Sequence, residues 1–346
     1  MAELGLDTRY NVIDNLKLVF DGKYVPWAET LTENNPLLMD LAILPANGIL
    51  SNEGSREISL PTPQIIKIGE GHVSSTVRWD KYKEDISIFV DRADIPKHVA
   101  DIQPDFTAFR SKVEGRHMEG MGQGVTNHFF YGTSVTTPEK FDGLDVRYNV
   151  PDATDPTNPA SASADAFVFD NGGSGDDTMS VWLIQHGIDK IHGITPANDP
   201  MLGIQKTDSG LVYQPTLTTY READNATQRA ERQTWRTEFE WKIGLNIVDM
   251  RSVARIRNIE SAIANLDASF LQLIFQAEEE VFKGSEPIFA YVPKRLMTFL
   301  HIMHENKQNV TYDRNNVYDI PLYRIGKILL RSTDALSITE TAVAAV

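Results

Sequence analysis

The sequence predicts an α+β protein carrying extended segments that cannot bury a core of their own. Three observations lead there. A helix-period run extends from Pro104 towards Gly132, and a strictly alternating strand surrounds Phe239 to Ile247. A strand-rich segment from Arg56 to Arg92 has little apolar material to close over it. With 346 residues and 41 % hydrophobic content, the chain is long enough for about two domains.

Near the start, Asn35 and Pro36 read as the cap and first position of a short helix. Leu37, Leu38, Leu41 and Leu44 form its apolar face. Between Arg56 and Arg92, strand-type runs at 64–68, 75–79 and 86–90 are separated by Gly69, Gly71 and the charged stretch from Asp80 to Asp85. The expected result is an extended hairpin, and a two-stranded ribbon alone is marginal in water.

From Pro104, Phe106, Phe109, Val113, His117, Met121 and Val125 recur three or four apart, which predicts a helix of about seven turns. Gly115, Gly120, Gly122 and Gly124 interrupt it, each costing up to about 1 kcal/mol relative to Ala. Gly120 and Gly124 share a face, so a backbone packed closely on that face is the expected compensation. Thr137 and Pro138 predict one further turn, closed by Gly143 and anchored by Phe141.

The Pro-, Asp- and Ser-rich stretch from Pro151 to Ala166 reads as an exposed boundary. Strands follow at 181–185 and 190–194, then a polar region at 216–236. Phe239, Trp241, Ile243, Leu245 and Ile247 alternate with polar or small residues, and Arg251 to Ile259 is expected to return antiparallel after a turn at Asp249. Asp267 reads as the cap of a helix closed by Gly284, then a strand at 288–292, a helix through Leu296 and Met303, and strands from Pro321 to Leu330.

The search for chemistry assigns no catalytic, cofactor-binding or metal residue. Gly120, Gly122 and Gly124 follow no strand and lack dinucleotide-fingerprint spacing. The run from Asp170 to Asp177 offers oxygen ligands without a calcium-loop pattern. His301 and His304 lie three apart with no third ligand, and His117 falls on an apolar stripe. Arg251, Arg255 and Arg257 offer either a phosphate site or strand-edge ion pairing; ion pairing is preferred given so many acidic residues, and another copy's carboxylate is one partner open to them. A net charge of -15, from 33 basic against 48 acidic side chains, disfavours binding DNA through the bulk surface. Without cysteine, disulfides, thiolate nucleophiles and Cys-ligated zinc are excluded. The amino-terminal residues lack a signal-peptide pattern, and no apolar run approaches the roughly 20 residues that span a bilayer.

A series of segments in one order resembles the major capsid proteins of short-tailed bacteriophages. These are Phe130-Tyr131-Gly132, Thr137-Pro138-Glu139-Lys140-Phe141-Asp142-Gly143-Leu144 and Arg147-Tyr148-Asn149. Gly172-Gly173, Ser180-Val181-Trp182-Leu183, His192-Gly193-Ile194 and Gly203-Ile204-Gln205 follow. Trp241, Gly244-Leu245, Asp249, Arg251, Arg255-Ile256 and Asn258-Ile259 complete the series.

The resemblance implies the Hong Kong 97-type capsid fold: an amino-terminal arm at 1–55, an extended loop at 56–93, a peripheral domain with its spine helix at 94–150 and 234–260, and an axial domain at 151–233 and 261–346. It implies a major head protein with no enzymatic activity, assembling as hexamers and pentamers into an icosahedral shell around double-stranded DNA. Lys67 and Arg78 on the ribbon, with Asp249 and Arg251 at the turn, are the implied assembly contacts. Expected partners are further copies, a separate scaffolding protein, a portal protein and a decorating protein, with packaged DNA held without sequence preference and no membrane. Assembly is expected in the bacterial host cytoplasm, with noncovalent interlocking. Alternative readings are an encapsulin-like nanocompartment shell protein and a hydrolase using His301 and His304.

Overall fold

The computed structural model describes residues 19–20, 23–24, 35–135, 137–151, 167–198, 203–218, 228–262, 269–281, 287–306, 313–317 and 320–343. The predicted boundary residues 152–166, the Asp267 cap and Gly284 therefore lie outside the described residues, as does most of the arm. In chain order the strands begin with β1 (Val19–Phe20), β2 (Lys23–Tyr24), β3 (Ile43–Pro45), β4 (Ser51–Ser59), β5 (Arg78–Pro96), β6 (Val168–Asp170) and β7 (Thr178–Gln185). They continue with β8 (Ile191–Thr195), β9 (Gln205–Thr218), β10 (Gln228–Ile247), β11 (Val253–Glu260), β12 (Ile288–Pro293), β13 (Asp313–Val317), β14 (Ile320–Ile325) and β15 (Ile328–Thr333). The helices are α1 (Pro36–Asp40), α2 (Lys97–Ile102), α3 (Phe106–Tyr131), α4 (Leu144–Arg147), α5 (Ser269–Glu280) and α6 (Lys294–Asn306).

The chain divides into two compact units. The first takes in Ile88–Gly122 and Gly203–Trp241, and the second Glu33–Ser87, Gln123–Leu202 and Lys242–Val346. In the first, the predicted stripe of α3 is buried through Phe109, which joins Ile95 and Val99, with Phe106, Val113 and Trp235 packed against them. His117 stacks on Phe239 and its Nδ1 donates to Asp91 at 2.7 Å, a satisfied packing role. Buried Glu114 accepts from Arg110 at 2.9 Å and from the Thr237 hydroxyl at 2.6 Å, with Lys206 as a further cation. These partners hold its carboxyl below the usual range despite burial, which acts in the opposite direction.

One stretch given no element by its composition proves to be strand, and one expectation fails. Of the stretch read as polar, 216–236, residues 216–218 and 228–236 are strand: β9 and β10 pair antiparallel from Gln228↔Thr218 to Glu240↔Gln205. Polar side chains suit such a ladder when they bond laterally, as Gln233 Nε2 does to the Tyr213 hydroxyl at 2.7 Å. The expected backbone is not packed on the helix glycines, because a Cβ at Gly115, Gly120 or Gly124 would meet nothing within 4 Å among the described residues.

The second unit is built on a seven-stranded sheet in the order β13-β14-β15-β12-β7-β11-β6. β7 is buried at all eight positions and β11 at all but Glu260, as expected of strands covered on both faces. α5 contacts β11, and α6 contacts β12 and β15. The end of α3 docks here through Phe130, 6.0 Å from Trp182 and 6.1 Å from Tyr291 between ring centroids. β3 runs parallel to β8, which pairs antiparallel with Gly244–Ile247 of β10.

The segment at 251–259 does not return along β10. It passes through a 3-10 turn, Met250–Ser252, and crosses into the other sheet, where β11 pairs antiparallel with β7 and parallel with β6. Asp249 closes that turn by accepting the Arg251 backbone N–H at 2.9 Å. Similarly, α1 stops at Asp40, so Leu44 lies on β3 and off its face, and Asn35 caps without a side-chain bond. The stretch after Thr137 is a reverse turn, Lys140 N–H to Thr137 carbonyl, with Phe141 buried and the helical turn delayed to α4.

Candidate assembly surface

The ribbon is real, but its strands are not those the sequence suggests. β4 pairs with the first part of β5 from Ser51↔Asp85 to Ser59↔Arg78, and the runs at 64–68 and 75–77 form no strand. Pro61 and Pro63 enter that stretch without amide donors, which disfavours continuing the ladder. The loop at 60–77 is held locally: Glu70 N–H donates to the Lys67 carbonyl at 3.1 Å, and Lys67 N–H to the Glu70 carboxylate at 3.2 Å.

Every residue from Leu60 to Lys81 is exposed. Leu60, Ile65, Ile66, Ile68, Val73, Val77 and Trp79 are among them, with Ile65 and Ile68 wholly bare. So much exposed apolar surface is uncommon on a protein that stays monomeric. Burying one of these side chains contributes about 1.5–3 kcal/mol. Lys67 lies on this loop and Arg78 at its foot, both exposed.

The ribbon base is fixed by charge. Glu84 accepts from Arg56 at 3.1 Å and from Arg147 Nη1 at 2.7 Å, with a second Arg147 contact. Arg56 also donates to the carbonyls of Ile247 and Val248, and its guanidinium lies 3.9 Å over the Tyr82 ring. That ring covers the opposite-strand Gly54, where any Cβ would come within 2.4 Å of it.

Beyond β10, Asp249 and Arg251 pair with each other at 2.9 Å, Arg251 remaining half exposed. Arg255 finds its partners within its own chain. It is 0 % exposed and donates to Asp145 at 2.6 Å, the Tyr148 carbonyl at 2.8 Å, Glu340 at 2.9 Å and Ser180 Oγ at 3.1 Å, while stacking 4.5 Å over Trp182. Arg257 donates to the Asn149 and Thr341 carbonyls. Burial and the Glu340 charge push the Tyr131 phenol far above its usual range, so it donates to Glu340 at 2.6 Å as a neutral hydroxyl.

A third charged anchor joins Asp40 to Arg331 at 2.8 and 3.0 Å. Tyr291 donates to Asp40 at 3.2 Å and accepts from His186 Nε2 at 2.8 Å. Burial pushes His186 down to about 4, so it is neutral.

Glu84, Asp40, Asp145 and Glu340 escaped the sequence reading. The available signal was an arginine in each of several strand-type segments, which demands a carboxylate without saying which one. The segments that carried the resemblance now have physical roles: Arg147 binds Glu84, Tyr148 donates to the Met250 carbonyl at 2.8 Å, and Asn149 receives Arg257.

The chemical candidates stay apart. The run after Asp170 is a turn in which Asp170 accepts from Gly172 N–H and Asn258 Nδ2. His301 lies on α6, and the His304 side chain is outside the described residues. Among the described residues no group of His, Asp and Glu could hold a metal ion, and no helix is long and apolar enough to cross a membrane.

The family described as major capsid protein GP7 matches residues 20–344. No curated protein matches the chain. A chain of the bacteriophage Epsilon15 structure is similar over 100 % of both chains at 21 % identity, with a TM-score of 0.70. The bacteriophage JBD30 capsid is 11 % identical over 93 % of this chain and 97 % of that one, at 0.47.

Proposed function

The chain belongs to the family of major capsid proteins described as GP7, and from that premise we propose how its parts build a shell. It is a structural subunit of a virion capsid assembled from many copies, with the Hong Kong 97-type fold. In the proposed arrangement the subunits gather as hexamers and pentamers into an icosahedral shell around double-stranded DNA. The chain performs no catalysis, its arm (1–55) and ribbon (56–93) overlie neighbouring copies, and the peripheral (94–150, 234–260) and axial (151–233, 261–346) parts form the wall. Lys67, Arg78, Asp249 and Arg251 meet charges on adjacent copies.

The observation that carries this reading is the bare apolar loop at 60–77 on a ribbon whose base is locked by Glu84. Such a loop gains its core only from another molecule, and many such contacts add through effective concentration. Scaffolding, portal and decorating proteins, DNA held without sequence preference, and assembly in the host cytoplasm complete the proposal.

Electron microscopy of the chain co-expressed with its scaffold tests it. Closed shells are expected. Replacing Ile65, Ile66 and Ile68 with Ser should leave folded subunits that do not close, and wild-type shell yield from that variant would overturn the role given to the ribbon.

A further inference from the structure

The sequence contains two Asn-Gly dipeptides, Asn47-Gly48 and Asn171-Gly172, and the fold holds them in opposite ways. Glycine after asparagine leaves the backbone nitrogen unhindered, so this dipeptide is intrinsically prone to cyclise. Whether it does so in a folded chain depends on the freedom of the carboxamide.

At Asn47 the carboxamide is clamped. Its Nδ2 donates to the Glu53 carbonyl at 2.6 Å, its Oδ1 accepts the Glu53 N–H at 2.9 Å, and its backbone N–H donates to Asn52 Oδ1 at 3.2 Å. Gly48 is also enclosed, since a Cβ there would lie 2.5 Å from the Ser51 carbonyl.

At Asn171 the backbone N–H also donates, to the Arg257 carbonyl at 3.0 Å, but the carboxamide oxygen, though enclosed, accepts no hydrogen bond. Gly172 is exposed, adopts a left-handed φ of 77°, and has nothing within 4 Å of where a Cβ would sit. Its N–H, the nucleophile once deprotonated, donates to the Asp170 carboxylate at 2.8 Å.

We propose that Asn171 is a site of spontaneous deamidation selected by the fold, with Asp170 as the base. Asp170 takes the Gly172 amide proton, and the nitrogen attacks Cγ of Asn171. A C–N bond forms, the Cγ–Nδ2 bond breaks, and Nδ2 leaves as ammonia with a proton. One water then opens the succinimide, leaving aspartate or isoaspartate. No oxidant or reductant takes part.

The consequence falls on the carboxy-terminal strap. Asp170 receives Asn258 Nδ2 at 2.7 Å, and Asn258 clasps Val343 through its carbonyl at 2.8 Å and its N–H at 3.1 Å. Ala342 N–H donates to the Gly175 carbonyl at 2.8 Å, on the same loop. A new carboxylate at 171 repels Asp170 and loosens this clasp.

Peptide mapping of the full chain tests this, after incubation at mildly alkaline pH in the native state and in concentrated urea. In urea the two sites should react at matching rates. In the native chain Asn171 should react about tenfold faster than Asn47 or more, the factor that two retained hydrogen bonds impose. Native Asn47 reacting as fast as Asn171 would overturn the proposal. Asp170→Asn should slow Asn171 several-fold and leave Asn47 unchanged, and an unaltered rate would remove Asp170 from the mechanism.

Discussion

Arg255, on the strand next to one edge of the seven-stranded sheet, places its Nη2 2.9 Å from Oε2 of Glu340, 85 residues later in the chain. Neither side chain reaches water to any useful degree, and Ser180, Asp145 and Trp182 complete the enclosure. Removing one partner of such a pair strands the other charge. Glu340→Ala should therefore cost about 3–5 kcal/mol in denaturant unfolding of the unassembled subunit. A loss below about 1 kcal/mol would mean that Asp145 alone satisfies the guanidinium.

Glu84 serves two guanidiniums at the ribbon base. Glu84→Ala should cost a similar 3–5 kcal/mol, and hydrogen exchange should quicken along residues 51–59. Unchanged protection there would show that strand pairing alone holds the ribbon.

The bare loop behaves differently. Ile65→Asp with Ile68→Asp removes no contact within the chain, so unfolding should shift by less than about 0.5 kcal/mol. Sedimentation should nonetheless show subunits in place of shells. A large stability loss would mean that these side chains pack inside their own molecule.

His186 sets a pH dependence. Its folded value lies near 4 because of burial, against an ordinary 6.5, so the unfolded chain binds the extra proton first as pH falls. Stability from this group is complete above about pH 6.5 and declines down to about pH 4, by about 3 kcal/mol at most. His186→Gln should show a smaller loss of stability between pH 7 and pH 4.5 than the unaltered chain, measured by denaturant unfolding. Equal losses would assign the effect to His128 and His192, whose values burial also lowers.

The open glycines of α3 make a fifth site accessible. Because a Cβ at Gly115 or Gly124 meets nothing within 4 Å, Gly→Ala at either position should stabilise the isolated subunit by up to about 1 kcal/mol. Thermal unfolding checks the sign, and destabilisation would show a hidden neighbour.

Periodicity was enough where one side of an element is apolar: the stripe of α3, the alternation from Phe239 to Ile247, and β7 were all legible. It misled where partners decide. The run at 64–68 has strand composition but no partner strand, whereas 228–236 lacks apolar alternation and pairs through its backbone with β9. Arg251 to Ile259 has strand character in either sheet, and no local signal says that the 3-10 turn redirects it. For the charged anchors, arginines were visible but their carboxylates were not, because Glu340 and Asp40 are brought to them only by tertiary folding.

The bond between Asp40 and Arg331 spans 291 residues. A ribosome emitting about 5–20 residues per second therefore needs roughly 15–60 seconds after releasing the first partner before the second exists. Throughout that interval Asp40 lacks its guanidinium, and the pairing of β3 with β8 is what holds this segment. This clasp therefore closes only after residue 331 has been made, which gives translation itself a say in when the fold is locked.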